Sequence, residues 1–324
     1  MMASSVISAS GFALMLLAYN AIVIPCAAIL IYVGDRINGT AWPILATEQF
    51  GREHLKILFA ATNSAKTIAL GSGTLVAALA LSVNSTTGLR VALLVNIASY
   101  LIGFIFLIGV PNRVAESDKK RPEPVRIAIC DRGFMKLVIS QITLSASWII
   151  PGVAFPLYLT QNLGEAPALA AALLTLRYAV VSVLQVPLMR YARHWTRRTV
   201  LRISSISSVA GVVAVLALPG PPGALRVALA AVATMLLAGS EIVSKPTAAA
   251  LAVEHAPAGR EAPYMAVFQA TWTFSYALGP AAIGLGLSNP PVLWCSILGI
   301  VVAGSLIGGA GRADDHRSRT TIAS

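Results

Sequence analysis

The stretch Val91-Ala-Leu-Leu-Val-Asn-Ile-Ala-Ser-Tyr-Leu-Ile-Gly-Phe-Ile-Phe-Leu-Ile-Gly-Val110 runs for twenty residues without a charge. At a rise of 1.5 Å per residue, about 20 apolar residues cross a hydrocarbon layer ~30 Å thick. The run reads as a membrane-spanning helix. It has counterparts along the whole chain: Ala21 to Val33, Thr67 to Val83, Leu137 to Leu159, Val209 to Leu218, Val227 to Gly239 and Pro291 to Gly309.

Composition supports a lipid solvent. Of 324 residues 56% are hydrophobic and 11% charged, with a mean hydropathy of +0.76; soluble domains carry roughly 25% charged residues. A spanning β-barrel needs ~10-residue segments alternating apolar and polar, and no long stretch alternates so. The net charge of +11 lies in short segments between apolar runs, which excludes a basic nucleic-acid-binding face. The first segment, Ser4 to Leu17, lacks the basic flank of a signal peptide and is read as a helix of the mature protein. Cys26, Cys130 and Cys295 show no metal-ligand spacing and are expected to be small buried side chains.

The pattern predicts an all-α polytopic membrane protein with about ten transmembrane helices, near 3–18, 21–45, 58–82, 89–111, 133–160, 165–189, 199–219, 224–250, 263–287 and 290–311. Alternating loops then hold eighteen of the 24 Lys and Arg on one side and only Arg90 and Arg226 on the other. The positive-inside rule makes the rich side cytoplasmic, with both termini there. Merging two helices would swap every later loop, so the alternation also supports the count. The hydrophilic stretch Pro111 to Asp131, with three prolines, reads as a cytoplasmic linker. The expected organisation is a partial N-terminal bundle of four helices (1–111), a linker (112–132), a six-helix bundle (133–311) and a tail (312–324).

Gly51-Arg52-Glu53, Phe59, Thr62 and Leu70-Gly71 recur as Gly259-Arg260-Glu261, Phe268, Thr271 and Leu278-Gly279. Each copy follows a helix with a proline, Pro43 or Pro246, near the same end. Repeats in one orientation imply halves related by an axis along the membrane normal. Aligning the halves places the start of the first about 75 residues before Met1, so two helices are expected to be missing from the sequence.

The basic loop Tyr191-Ala-Arg-His-Trp-Thr-Arg-Arg-Thr-Val-Leu-Arg202, with Arg193, Arg197 and Arg198, resembles the loop between the second and third helices of each half in the major facilitator superfamily. It lacks the leading Gly and Asp. Gly239-Ser-Glu241 through Lys245-Pro246, Tyr264 through Trp272, and Leu278-Gly279-Pro280 resemble the tenth and eleventh helices of that family's drug exporters. Arg36-Ile-Asn-Gly39 and Trp42-Pro43 resemble the fourth-helix motif of proton-coupled members, one residue short, and Gly71-Ser-Gly73-Thr74 is similar to the fifth-helix antiporter motif without its proline. The resemblance implies helices three to twelve of twelve, a two-bundle major-facilitator-like fold, and transport by alternating access.

Charges inside spans point to partners or a cavity, because each costs at least ~2.5 kcal/mol near the bilayer centre. Asp35, Arg36 and Lys66 fall at similar depth; Asp35 and Lys66 can pair structurally, or Asp35 can exchange a proton as Arg36 changes partner. Glu241 and Lys245 are spaced for an intrahelical pair, yet Glu241, a carboxyl beside the bend at Pro246, is also the leading candidate proton carrier. Arg177 has two candidate partners, an anionic substrate or a carboxylate such as Glu241. Gln141, Trp148, Gln269, Trp272 and Tyr276 suit an amphipathic ligand or ordinary packing.

The expected function is secondary active transport of a small organic molecule in a bacterial cell membrane, by proton-coupled efflux. The expected partners are the bilayer, substrate and protons, with no nucleic acid, cofactor or metal. No GxxxxGK[ST] phosphate loop is present, so a gradient rather than ATP is the expected energy source. A transport-inactive truncated chain acting as an interaction partner is the alternative. A membrane-embedded enzyme is disfavoured because His54, His194, His255 and His316 are scattered singly.

Overall fold

The computed structural model describes residues 1–17, 22–51, 54–83, 85–108, 124–257 and 260–309. Within them the side chains at 48, 74–86, 89, 148, 150, 151, 193, 277–285 and 307–309 are not described. Among the described residues the chain has ten long helices, one short helix and no strand. In order these are α1 (Met2–Leu16), α2 (Val23–Phe50), α3 (Leu55–Val83), α4 (Ser85–Ile108), the short α5 (Arg126–Cys130), α6 (Arg132–Leu157), α7 (Pro167–Tyr191), α8 (Arg197–Leu216), α9 (Gly223–His255), α10 (Glu261–Gly286) and α11 (Pro290–Gly309). A π turn, Tyr158–Asn162, extends α6.

Among the described residues five spans are long and apolar enough to cross a bilayer on those grounds alone: Arg90–Ile108, Arg132–Asn162, Pro167–Tyr191, Arg197–Leu216 and Gly223–His255. The shorter Met2–Leu16 and Pro290–Leu306 are equally apolar in character.

Local chemistry sets the helix ends. The Asp131 carboxylate accepts the Phe134 amide at 3.0 Å to start α6, and the Thr196 hydroxyl accepts the Thr199 amide at 3.3 Å to start α8. Pro167 stands in the first turn of α7, where a missing N–H costs nothing. Gly51 ends α2 at φ 72°, ψ 167°, a conformation open to glycine.

Several expectations shift. Helix α2 runs to Phe50, because its polar end continues the backbone hydrogen bonds beyond the apolar run, and α3 begins at Leu55, which is buried in an apolar core, where sequence suggested 45 and 58. Residues 126–130, read as the end of the linker, form α5. The three cysteines are free and exposed rather than buried, since they sit on outward helix faces. Of the repeated motif, Arg52, Glu53 and Gly259 lie outside the described residues.

Helix α1 packs on α2 and α4, and α3 on α4; α6 packs on α9, α10 and α11, and α8 on α9 and α11. Contacts between these two groups run from α3 to α7 and α9, and from α2 to α9 and α10. Small residues allow close approach in the first group: a Cβ at Gly34 would come within 2.9 Å of the Ser4 carbonyl oxygen. Serine hydroxyls join the second group, with Ser147 to Ser208 at 2.8 Å, Ser208 to Ser240 at 2.7 Å and Ser145 to Ser275 at 2.7 Å.

Among the described residues two large apolar cores result, with a smaller cluster of Val181, Ala238 and Ile242 between α7 and α9. One fills the second group, where Phe155, Tyr158, Leu237, Trp294 and Ile297 meet. The other joins both groups, with Leu55, Phe59 and Trp42 packed among Phe134, Val253, Tyr264, Met265 and Phe268. It lies where α2 ends, α3 and α6 begin, and α9 gives way to α10. This is the linker end of the molecule.

Candidate functional site

A cavity of about 630 Å³ opens between the two groups of helices. Ligand pockets for small organic molecules span roughly 300–1,000 Å³. Three helical stripes line most of it: Asp35, Asn38, Gly39, Trp42 and Pro43 from α2; Phe59, Thr62, Asn63, Lys66, Thr67 and Leu70 from α3; and Met265, Phe268, Gln269, Trp272 and Tyr276 from α10. The spacings of three and four place each set on one helix face. Arg36, Asn96 and Tyr100, with Lys245 and Pro246 of α9, complete the wall.

The repeat is visible in this geometry. Phe59 and Phe268, which occupy matching positions of the repeated sequence, both line the cavity and share the apolar core at the linker end. Pro43 and Pro246 both lie inside helices and both face the cavity. A proline within a helix removes one backbone hydrogen bond and bends the rod.

Charges in and behind the cavity form two groups. Arg36 pairs with the neighbouring Asp35, and its guanidinium carbon stands 4.9 Å from the centre of the Tyr32 ring. Nε and Nη1 of Arg36 are buried without a hydrogen-bond partner. On the other side, Glu241 is buried and receives Arg177 Nη2 at 2.8 Å and Lys245 Nζ at 3.2 Å. Lys245 Nζ also stands 5.6 Å from the centre of the Trp272 ring, within cation–π range. Lys66 projects from α3 into the cavity and makes no hydrogen bond or ion pair with any described residue.

The sequence candidates therefore separate. Asp35, Arg36, Lys66, Lys245, Gln269, Trp272, Tyr276, Pro43 and Pro246 meet at the cavity, and Glu241 and Arg177 stand behind Lys245. The pair of Asp35 with Lys66 does not form: adjacent Arg36 takes the Asp35 carboxylate instead. Arg177 holds Glu241, and the pair of Glu241 and Lys245 forms as their spacing suggested. Protonating Glu241 would leave two cations beside it without their counter-charge, which is costly in low dielectric.

Gln141 lies elsewhere, in a small pocket with Ser140 and Arg197 near the start of α8. Arg198 belongs to the first turn of the same helix. Trp148, Gly279 and Pro280 fall in α6 and α10, and Arg193 in a 3₁₀ turn, but their side chains lie outside the described residues.

Sequence reasoning missed Asn38, Thr62, Asn63, Thr67, Asn96 and Tyr100. The signal for α3 was present as polar residues recurring at helical spacing around Lys66, inside an otherwise apolar helix. Gln185 was invisible in that way, because its partner Asn63 is 122 residues distant. Among the described residues no cluster of His, Cys, Asp and Glu is suited to a metal ion.

No curated protein matches the chain. The fold is similar to FucP, a major facilitator superfamily transporter solved in its outward conformation, with a TM-score of 0.68 at 14% identity over 95% of this chain and 81% of that one. It is also similar to a bacterial homologue of the iron transporter ferroportin in the outward-facing state, with a TM-score of 0.66 at 16% identity over 95% of this chain and 79% of that one. The sequence description of the Major Facilitator Superfamily matches residues 1–280. With ten long helices among the described residues, five of which line the polar cavity, and that match over most of its length, this multi-pass all-α membrane protein belongs to the Major Facilitator Superfamily, a family of membrane transporters.

Proposed function

We propose that the chain is a secondary transporter that carries a small organic molecule out of a bacterial cell by alternating access, driven by proton exchange. The cavity carries this reading: it lies between two groups of helices that need only rock against each other to change its opening, and intramembrane charges line it. The division into two bundles at the 112–132 linker belongs to the same proposal. So do a cell-membrane location and cytoplasmic termini, which rest on the charge bias of the loops.

The apolar core shared by Phe59, Trp42, Met265 and Phe268 closes the linker end. With the linker in the cytoplasm, the cavity faces outward. Transport requires this core to part while contacts at the opposite end form. The efflux direction draws on the resemblance of 239–280 to exporter helices.

Proton coupling is assigned to Asp35, the carboxylate that lines the cavity beside Arg36. Neutralising Asp35 removes the counter-charge of Arg36 and frees that side chain to change partner. Glu241 serves as the fixed anchor between Arg177 and Lys245. Its exchange with a proton is the second candidate, and it predicts loss of coupling in Glu241→Gln with coupling retained in Asp35→Asn.

Proteoliposomes carrying the full chain, loaded with a bacterial metabolite extract, test the reading by mass spectrometry of what leaves them. An imposed pH gradient is expected to accelerate release of at least one compound relative to empty liposomes. Asp35→Asn is expected to abolish that acceleration while solute exchange without a gradient persists. Release no faster than from empty liposomes would overturn the transport assignment.

A further inference from the structure

We infer that the cavity is built for an organic anion with an aromatic or otherwise apolar body, whose acidic head is held by Lys66 and Arg36. The inference rests on the transport reading and narrows it to a substrate class.

Four cations lie in or directly behind the cavity: Arg36, Lys66, Arg177 and Lys245. Two carboxylates answer them, and both are engaged, Asp35 by Arg36 and Glu241 by Arg177 and Lys245. Lys66 makes no hydrogen bond or ion pair with a described residue, and the carboxylate that acts on it electrostatically, Asp35, is bonded to Arg36 instead. A cation within spanning helices is costly unless a partner or water stabilises it. A wall that satisfies its other charges internally and leaves one ammonium facing the empty space has a place for an anion supplied from outside.

Two further observations fix the location and chemistry of that anion. Arg36 uses Nη2 on Asp35 while Nε and Nη1 are buried without an acceptor. A small rotation about its side-chain bonds would offer those donors to an oxyanion in the cavity, and guanidinium groups suit the paired oxygens of carboxylate or phosphate. Asn63, one turn before Lys66, and the adjacent Thr67 also line the cavity and add neutral polar groups. The opposite wall is aromatic, with Phe268, Trp272 and Tyr276 on α10. An anion with an apolar body fits this division, whereas an organic cation would face Lys66 and Lys245 directly.

Calorimetric titration of the purified full chain in detergent tests the inference with three molecules of matched shape: 2-naphthoate, 2-naphthamide and 2-naphthylmethylammonium. The naphthoate is expected to bind at least about tenfold tighter than the other two, as loss of one charge-assisted contact would produce. Lys66→Met is expected to weaken naphthoate binding by about tenfold or more and leave naphthamide binding unchanged. Lys66→Arg keeps the charge and should retain it. Arg36→Gln provides a second variant if Lys66→Met does not yield folded protein, with the same expected loss. Equal affinity for the three molecules, preference for the ammonium, no binding of any of them, or naphthoate binding unaltered in Lys66→Met would each overturn the anion assignment.

The transport reading fails separately. Charge-dependent naphthoate binding with no release from proteoliposomes would leave the site standing without a transporter. Gradient-driven release of cations alone would leave a transporter with a different substrate.

Discussion

Asn63 of α3 donates from Nδ2 to Oε1 of Gln185 on α7 across 2.5 Å, and both side chains are buried. The next residue, Ser64, donates from its hydroxyl to the carbonyl oxygen of Ser182, one turn before Gln185 on α7. These bonds join the first group of helices to the second directly beside the cavity that Asn63 lines. The substrate wall and the contact between the groups therefore share a residue, so occupancy of the cavity and the fit of α3 against α7 are physically coupled.

Polar contacts between membrane helices contribute about 1 kcal/mol on average, because lipid offers no competing solvent but the unfolded helices find other partners. Asn63→Leu leaves Gln185, whose Nε2 already lacks a partner, with neither end satisfied. We expect each single variant, Asn63→Leu and Gln185→Leu, to lower stability by about 1–3 kcal/mol. The double variant should lose less than the sum, since it removes both stranded groups. Thermal unfolding in detergent over the four proteins gives the coupling energy, and strict additivity would show that the bond contributes nothing.

Glu241 balances two cations from within the second group of helices. Glu241→Gln keeps the shape and removes the charge, leaving Arg177 and Lys245 uncompensated, a change that costs about 3–5 kcal/mol when a buried pair is broken. Combining it with Lys245→Met should recover part of the loss by removing one stranded cation. Chemical unfolding of the single and double variants distinguishes an anchor from a dispensable charge: an unaltered midpoint in Glu241→Gln would refute the anchoring role.

Glycines along α2 and α3 are unequal. A side chain at Gly34 collides with the Ser4 carbonyl oxygen and the Ser8 amide of α1, both backbone atoms, whereas Gly73 has open space around it. Gly34→Val is expected to separate α1 from α2 and lower stability by about 1–3 kcal/mol. Gly73→Ala should change stability by no more than about 0.5 kcal/mol. Gly73 falls in the antiporter-like stretch, so a transport defect with unchanged unfolding would be a functional effect rather than a packing one. Melting temperatures measured beside transport rates make that separation.

Much of the molecule is legible in its one-dimensional pattern. An uncharged run such as Val91 to Val110 fixes a spanning helix because unpaired backbone polar groups cannot be left in lipid. The ten helices expected from the pattern correspond to the ten long helices among the described residues, although polar ends such as Thr47 to Phe50 extend beyond the apolar runs. The Pro43 and Pro246 repeat likewise marked cavity-facing helices from local sequence. The spacing of Glu241 and Lys245 was enough to predict their contact, since four residues along a helix bring side chains together by geometry alone.

What the tertiary structure alone decided is which charge answers which. Depth along separate helices made Asp35 and Lys66 plausible partners, but helix rotation gave Asp35 to its neighbour Arg36 and left Lys66 facing the cavity. Arg177 meets Glu241 across 64 residues of chain, and Asn63 meets Gln185 across 122. Cys26 and Cys295, apolar by context, turned outward. The physical reason is common to all of them: hydrophobicity determines that a segment enters the membrane, while its rotation and partners follow from close packing between helices distant in sequence.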